Sequence, residues 1–248
     1  MSAVLSPEAL AGRRALVTGA GSGIGRAIAL RLDELGAQVI GVGRRAELLA
    51  ETAALAGPSF SVGSLDVRNA GAVAEFTRGL GPLHVLVNNA GGQFIAPADE
   101  ISARGFAAVL DLNLTAVARL IELTAPLMAS GATVINISLS AAERGLPGVS
   151  HSAAARAAVA GLTRRLARQR PEVRFYCLAP GTVLTDAKLA KHTPEALERF
   201  VAATPIVTPA EVAEWAAALA IGIAPRSSGA VIELDGGAGL GYRTGPLA

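Results

Sequence analysis

The chain has 248 residues, 51% of them apolar and 17% charged, which is enough to bury a large core within one large domain or two small ones. A formal charge of +2 with no basic run argues against nucleic-acid or membrane-surface binding, because nothing neutralises a row of phosphates. The single cysteine, Cys177, excludes an internal disulfide and fits a reducing compartment; with no apolar stretch of ~20 residues and no signal-like N-terminus, no membrane partner is expected and the expected location is cytoplasmic.

Short β-like runs alternate with helical stretches. Arg14 to Thr18 reads as a strand, and Ile24 to Leu35 as a helix, since Ile28, Leu32 and Leu35 share a face. Gln38 to Val42 is a second strand and Ala46 to Leu55 a second helix. Strands are then expected at Phe60 to Leu65, Leu83 to Asn88, Thr133 to Ser138, Val173 to Leu178 and Ala230 to Leu234. Helices are expected at Ala70 to Arg78, Phe106 to Ala129, Ser150 to Gln169 and Pro209 to Ile221. Runs such as Val85-Leu86-Val87 and Val134-Ile135-Asn136-Ile137 are apolar almost throughout, as in strands covered on both faces. The alternation predicts an α/β fold: a doubly wound, Rossmann-like parallel sheet of about seven strands with helices on both faces. With no linker or repeat visible, residues 1–248 read as one domain.

Between the first strand and first helix lies Thr18-Gly19-Ala20-Gly21-Ser22-Gly23-Ile24-Gly25. Glycines there let the backbone turn tightly and approach a pyrophosphate, and the helix N-terminus behind them offers free N–H groups. The spacing is Gly19-x-x-x-Gly23-x-Gly25; Ile24 breaks the commoner Gly-x-Gly-x-x-Gly. The second strand runs into Arg44 and Arg45, where an NAD-binding protein usually carries an acid for the ribose hydroxyls. Two cations opening a helix oppose its macrodipole. A 2′-phosphate would explain them, since a guanidinium matches phosphate well. The residues therefore predict NADP(H) as cofactor rather than NAD.

Taken together, the glycine loop, Asp66-Val67 after the third strand, Asn88-Asn89-Ala90-Gly91 after the fourth, Asn113 in a helix, and Pro180-Gly181 with Thr185 after the sixth resemble the short-chain dehydrogenase/reductase family. The resemblance covers nearly the whole chain. It implies that Gly19, Gly21, Ser22, Gly23, Ile24 and Gly25 hold the pyrophosphate and that Asp66 and Val67 hold the adenine. It further implies that Asn89, Ala90 and Gly91 line the cofactor, that Asn113 anchors a water in a proton relay, and that Pro180, Gly181, Val183 and Thr185 wrap the nicotinamide.

The catalytic region departs from the family pattern of Ser, Tyr and Lys. Leu139 stands at the Ser position, Ser152 at the Tyr position and Arg156 at the Lys position. The chain has only two tyrosines, Tyr176 and Tyr242, and neither has a lysine four residues on. Carbonyl reduction needs a proton donor beside the hydride acceptor, and a serine hydroxyl is far too weak an acid. Arg156 can bind ribose hydroxyls as a fixed cation but gives up no proton at working pH. Gly91 to Pro97 and Gly148 to Arg156 resemble, more narrowly, the trans-2-enoyl-CoA and 2,4-dienoyl-CoA reductase branch, which also lacks Tyr-x-x-x-Lys. Its dienoyl members are expected to carry a tyrosine just after the fifth strand, where Ala141 stands here.

Several side chains are candidates for the chemistry. His151, with an unperturbed pKa near 6.5, suits proton transfer at the mouth of the site or is a structural residue at a helix start. Ser138 and Ser140 either hydrogen-bond a thioester oxygen or satisfy backbone groups at a strand end. Gln93 either donates to a substrate carbonyl or pins a loop. Cys177 and Tyr176 read as core packing, and no cluster has metal-ligand spacing. The alanine-rich helix from Ser150 lets another helix approach closely: the family resemblance implies that it pairs with its copy in a homodimer or homotetramer, the alternative being burial within its own monomer; Lys188 to Thr204, with Leu189, Leu197 and Phe200, reads as a substrate lid. Three functions remain open: reduction of an activated double bond in a small-molecule substrate such as an acyl-CoA or other thioester, carbonyl reduction with a rearranged donor such as His151, and non-catalytic NADP(H) sensing or scaffolding.

Overall fold

The computed structural model describes residues 5–140, 147–185, 189, 193–203 and 205–240. Strand β1 (Arg14–Thr18) leads into helix α1 (Gly23–Glu34), β2 (Gln38–Gly43) into α2 (Ala46–Ala54), and β3 (Ser61–Ser64) into α3 (Ala70–Arg78). Next come β4 (Leu83–Asn88), α4 (Ala103–Leu110), a π-helical segment (Asp111–Thr115) and α5 (Ala116–Thr124). Then follow β5 (Met128–Ile137), α6 (Ser150–Gln169) and β6 (Arg174–Pro180). The chain continues through β7 (Thr182–Val183), α7 (Pro194–Ala203), β8 (Ile206–Val207), α8 (Pro209–Ile221) and β9 (Val231–Leu234).

Seven strands form one parallel sheet in the order β3-β2-β1-β4-β5-β6-β9. The winding runs outward from β1 in one direction and from β4 in the other. Their C-terminal ends, side by side, mark the switch point where a ligand crevice opens. Alternate side chains feed two cores. Ala15, Val17, Val85 and Val87 pack with Ile28 and Leu32 of α1 and with Val212 and Ala216 of α8. Leu16, Leu86, Val134 and Phe175 pack on the other face with Val73 of α3 and with Val117 and Leu120 of α5. Coverage on both faces is why these strands are apolar at successive positions, and each buried Val or Leu contributes about 1.5–3 kcal/mol.

Local signals set several helix ends. The Asn69 side chain accepts from the Ala72 N–H, and Ser102 accepts from Gly105, closing the first turns of α3 and α4. α8 has a full capping box between Thr208 and Glu211, a proline in its first turn, and Gly222 in the left-handed region at its end. In contrast, Ser22 at the start of α1 makes no side-chain capping bond. That leaves the first-turn N–H groups open at the switch point.

The structure departs from the sequence expectation in several places. The helix expected over Phe106 to Ala129 is broken by the π-helical segment and ends in a 3-10 turn at Ala125–Leu127, which holds Pro126. β5 starts at Met128 rather than Thr133, because Met128 is drawn into the sheet beside Leu83. Met128-Ala129-Ser130-Gly131 carries no β-branched residue, so its own pattern gives no strand signal. The expected strands at Phe60 to Leu65 and Ala230 to Leu234 are a little shorter, and β7 and β8 form a second, two-stranded sheet that joins both ends of segment 184–205. Within that segment, α7 occupies part of the expected lid. Lys188, Thr204, Ala141, Tyr242 and the Phe200 side chain lie outside the described residues. Among the described residues no helix is long and apolar enough to cross a membrane.

Candidate functional site

The crevice at the switch point has two parts. The first is lined by Gly19, Gly21, Ser22, Gly23 and Ile24 of the glycine loop, by Arg44 and Arg45 after β2, by Asp66 and Val67 after β3, and by Asn89, Ala90 and Gly91 after β4. Gly19 has a φ of 71°, and a Cβ there would fall 2.6 Å from the Asn89 amide nitrogen, so only glycine fits. Gly25 lies behind the loop, with the Gly19 carbonyl and the Asn89 amide where its Cβ would be. The Thr18 hydroxyl donates to the Val87 carbonyl (3.2 Å) and accepts from the Asn89 and Ala90 N–H groups (3.0 and 2.9 Å). This joins the ends of β1 and β4. A polar residue closing an apolar strand was the available signal for Thr18.

Arg44 and Arg45 are exposed on the cleft rim, and Arg45 Nη2 lies 3.2 Å from Ser22 Oγ, so the cation sits beside the glycine loop. Opposite, Asp66 pairs with Arg68 at 2.6 Å. The hydrogen bond from the Arg68 side chain, assisted by its N–H and by the charges of Arg68 and Arg44, holds the Asp66 carboxyl down at about 2 against the opposing effect of burial. A carboxyl with a depressed folded pKa stabilises the fold above its unfolded value and loses that contribution as acid protonates it. Asp66→Asn is therefore expected to cost about 0.5–1 kcal/mol at neutral pH, discounted because the pair is partly exposed. The gap to wild type should close as the pH falls from about 4 toward 2. Denaturant titrations at several pH values read this; a gap that does not change with pH would contradict the ion pair.

The second part of the crevice is lined by Gln93, Ser138, Leu139, Ser140, Val149, Arg156, Pro180, Gly181 and Val183, among others. It shares Ile24, Asn89, Gly91 and Thr185 with the first, so the two run together as one cleft. Arg156 is the one charged side chain among its described lining residues. Its Nη1 donates to the Ile137 carbonyl, and its Nη2 occupies the space a Cβ on Gly91 would need. Burial lowers its pKa to about 10, so it remains a cation at any working pH. A buried polar ladder, Asn88 Nδ2 to Asn136 Oδ1 (2.8 Å) and Asn136 Nδ2 to Thr163 Oγ1 (2.9 Å), ties α6 to the sheet and fixes where Arg156 emerges.

The remaining predicted residues are placed differently. His151 and Ser152 are buried at 0% and 1% exposure, and neither lines the described cleft. The His151 ring packs tilted against Phe94 with centroids 4.3 Å apart, and among the described residues neither its ring nitrogens nor Ser152 Oγ has a hydrogen-bond partner. The expectation of His151 at the mouth of the site is thus corrected: the loop carrying Phe94 covers it. Ser152 lies one turn before Arg156 on the same face, but its one-carbon side chain does not reach the cleft, whereas the long arginine stem does. Asn113 is fully buried, and its amide clamps the Gly92 N–H (3.1 Å), the Gly92 carbonyl (2.8 Å) and the Val109 carbonyl (3.1 Å). Its side chain therefore positions the Gly91-Gly92 backbone. It sits in the π-helical segment, a distortion often found at functional sites.

Ser138 lines the cleft but donates its hydroxyl to the Arg156 backbone carbonyl at 3.1 Å. Cys177 and Tyr176 are buried in β6; burial pushes the thiol up to about 11, and the Tyr176 hydroxyl donates to the Ala224 carbonyl at 2.6 Å, away from the cleft. Among the described residues no group of three or more His, Cys, Asp or Glu side chains could hold a metal.

Comparison with known proteins agrees with this arrangement. Residues 19–239 match the family model described as Enoyl-(Acyl carrier protein) reductase. The chain is 32% identical to a probable 2,4-dienoyl-CoA reductase of Bacillus subtilis, over 90% of this chain and 94% of that protein. It is also 32% identical to L-xylulose reductase of Bos taurus, over 92% and 97%. The crystal structure of actinorhodin polyketide ketoreductase with NADPH superposes with a TM-score of 0.85 at 29% identity, covering 92% of this chain and 97% of the other. With the parallel sheet, the glycine loop at its switch point and these matches, the chain belongs to the short-chain dehydrogenase/reductase family of oxidoreductases, whose cofactor is a nicotinamide dinucleotide.

Proposed function

We propose that the protein is an NADPH-dependent reductase of a carbon–carbon double bond conjugated to an acyl thioester or similar enone. The observation that carries this reading is the second part of the cleft, which presents a permanent cation, Arg156, and no tyrosine among its described lining residues. Reducing a ketone places a proton on oxygen as hydride reaches carbon, and that calls for a donor of matched acidity. Hydride addition to the far carbon of a conjugated thioester instead places negative charge on the carbonyl oxygen. A fixed guanidinium stabilises such an oxyanion with no proton to give, and the adjacent carbon takes its proton from water.

The residues of the cleft fit the cofactor. The open N–H groups of α1 suit the pyrophosphate, Arg44 and Arg45 the 2′-phosphate, and Asp66 and Val67 the adenosine. Bound NADPH would supply the hydride. Arg156 would hold the nicotinamide ribose or the substrate oxygen, with Pro180, Gly181, Val183 and Thr185 closing that end. The name of the Bacillus relative belongs to the same substrate class.

L-xylulose reductase supports the alternative of carbonyl chemistry. NADPH oxidation with crotonyl-CoA against a panel of ketones and ketoses separates the two. Turnover on crotonyl-CoA well above any ketone is expected, and the reverse preference would overturn the proposal. Tight NADPH binding without turnover on either class would favour a non-catalytic nucleotide-binding protein.

A further inference from the structure

Arg26, in the first turns of α1, makes a dense set of bonds that cofactor contact does not explain. Its Nη2 and Nε donate to the Gly21 carbonyl at 2.7 and 3.2 Å. Its other bonds are to α2: Nε to the Thr52 hydroxyl (3.1 Å) and Nη2 to Glu51 (2.8 Å). The Thr52 hydroxyl, on a fully buried side chain, lies 3.1 Å from the Ala20 carbonyl and 3.0 Å from the Leu48 carbonyl, and shares its one proton between them. Two successive carbonyls of the glycine loop are thereby held against α2.

In a planar trans peptide the C=O and N–H point in opposite directions. Pinning the carbonyls of Ala20 and Gly21 on α2 therefore turns the N–H groups of Gly21 and Ser22 the other way, toward the cleft those residues line. Successive N–H groups aimed at one point form an anion-binding nest. The charge of Arg26 is itself paired with Glu51, so its contribution lies in the forked geometry and not in attraction to phosphate. Because α2 begins directly after Arg44 and Arg45, the same helix sets both the loop and the two cations on the cleft rim.

We propose that Arg26, with Thr52, is a positioning residue that aims the glycine-loop N–H groups at the pyrophosphate. The inference rests on the nucleotide-binding reading above. Its test is calorimetry with two probes: NADPH, and adenosine 2′-monophosphate, which carries the adenine and 2′-phosphate but no pyrophosphate. Arg26→Lys keeps the charge and removes the fork. It is expected to weaken NADPH about tenfold, the scale of one charge-assisted bond, and to leave the monophosphate essentially unchanged. Thr52→Val should show the same split with a smaller loss. Unaltered NADPH affinity in Arg26→Lys, or equal losses on both probes in both variants, overturns the inference. Wild-type protein that binds neither probe overturns the nucleotide-binding reading beneath it.

Discussion

Arg156→Met is expected to lower kcat on a conjugated thioester by about 10²–10³-fold, the cost of losing one preorganised stabiliser of a developing oxyanion. The same change should leave the folded state no less stable, and a rise in Tm of a few degrees is expected. The reason is the environment of the guanidinium. It lines the cleft with no carboxylate beside it among the described residues, its Nη1 donates to the Ile137 carbonyl, and burial lowers its pKa to about 10. Taking this cation out of water costs the fold free energy, and an apolar side chain of similar length removes that cost. Arg156→Lys restores a cation where the family ordinarily has lysine and should retain most of the turnover. Steady-state kinetics with thermal unfolding reads all three; a methionine variant that keeps its turnover, or loses it only through unfolding, would refute the role given to Arg156.

The second large effect concerns the rim of the cleft. Replacing both Arg44 and Arg45 with glutamine is expected to weaken NADPH by about 10²–10³-fold, as the loss of two charge-assisted phosphate contacts implies. NADH, with no 2′-phosphate, should change by only a few-fold. Both side chains are exposed in the cleft, and the one bond between Arg45 and Ser22 is a long, exposed contact, so the fold should tolerate the change. Fluorescence titration with each cofactor gives the answer. Equal losses on NADPH and NADH would mean that these arginines do not discriminate the cofactors.

Much of the fold was legible along the chain because its signals are local. Val85-Leu86-Val87 is apolar at successive positions because both faces are covered, and a strand of this kind shows its burial within three residues. Thr208, Pro209, Glu211 and Gly222 are bounding signals for α8 that need no knowledge of the rest of the molecule. The glycine loop was legible for a similar reason, since the turn and close approach at Gly19 demand glycine whatever lies opposite. Less legible were elements whose identity depends on a distant neighbour. Met128 to Gly131 becomes strand only because β4 lies beside it. The reading of His151 as a mouth residue failed because Phe94, far away in sequence, covers it.

From the amino-acid order alone came the parallel sheet, the glycine turn, the two rim arginines and the loss of the tyrosine–lysine pair. Each is written in the residue types and spacing of a short stretch. Only the tertiary structure decided that Asn113 grips Gly92, that Arg156 and not His151 or Ser152 reaches the cleft, and that Arg26 and Thr52 turn the loop's carbonyls away from it. Periodicity tells which face of an element is buried but not what it meets there. Distant partners such as Asn113 with Gly92 and Thr52 with Ala20 are brought within hydrogen-bond distance by the winding of the sheet, and such meetings orient the polar groups involved.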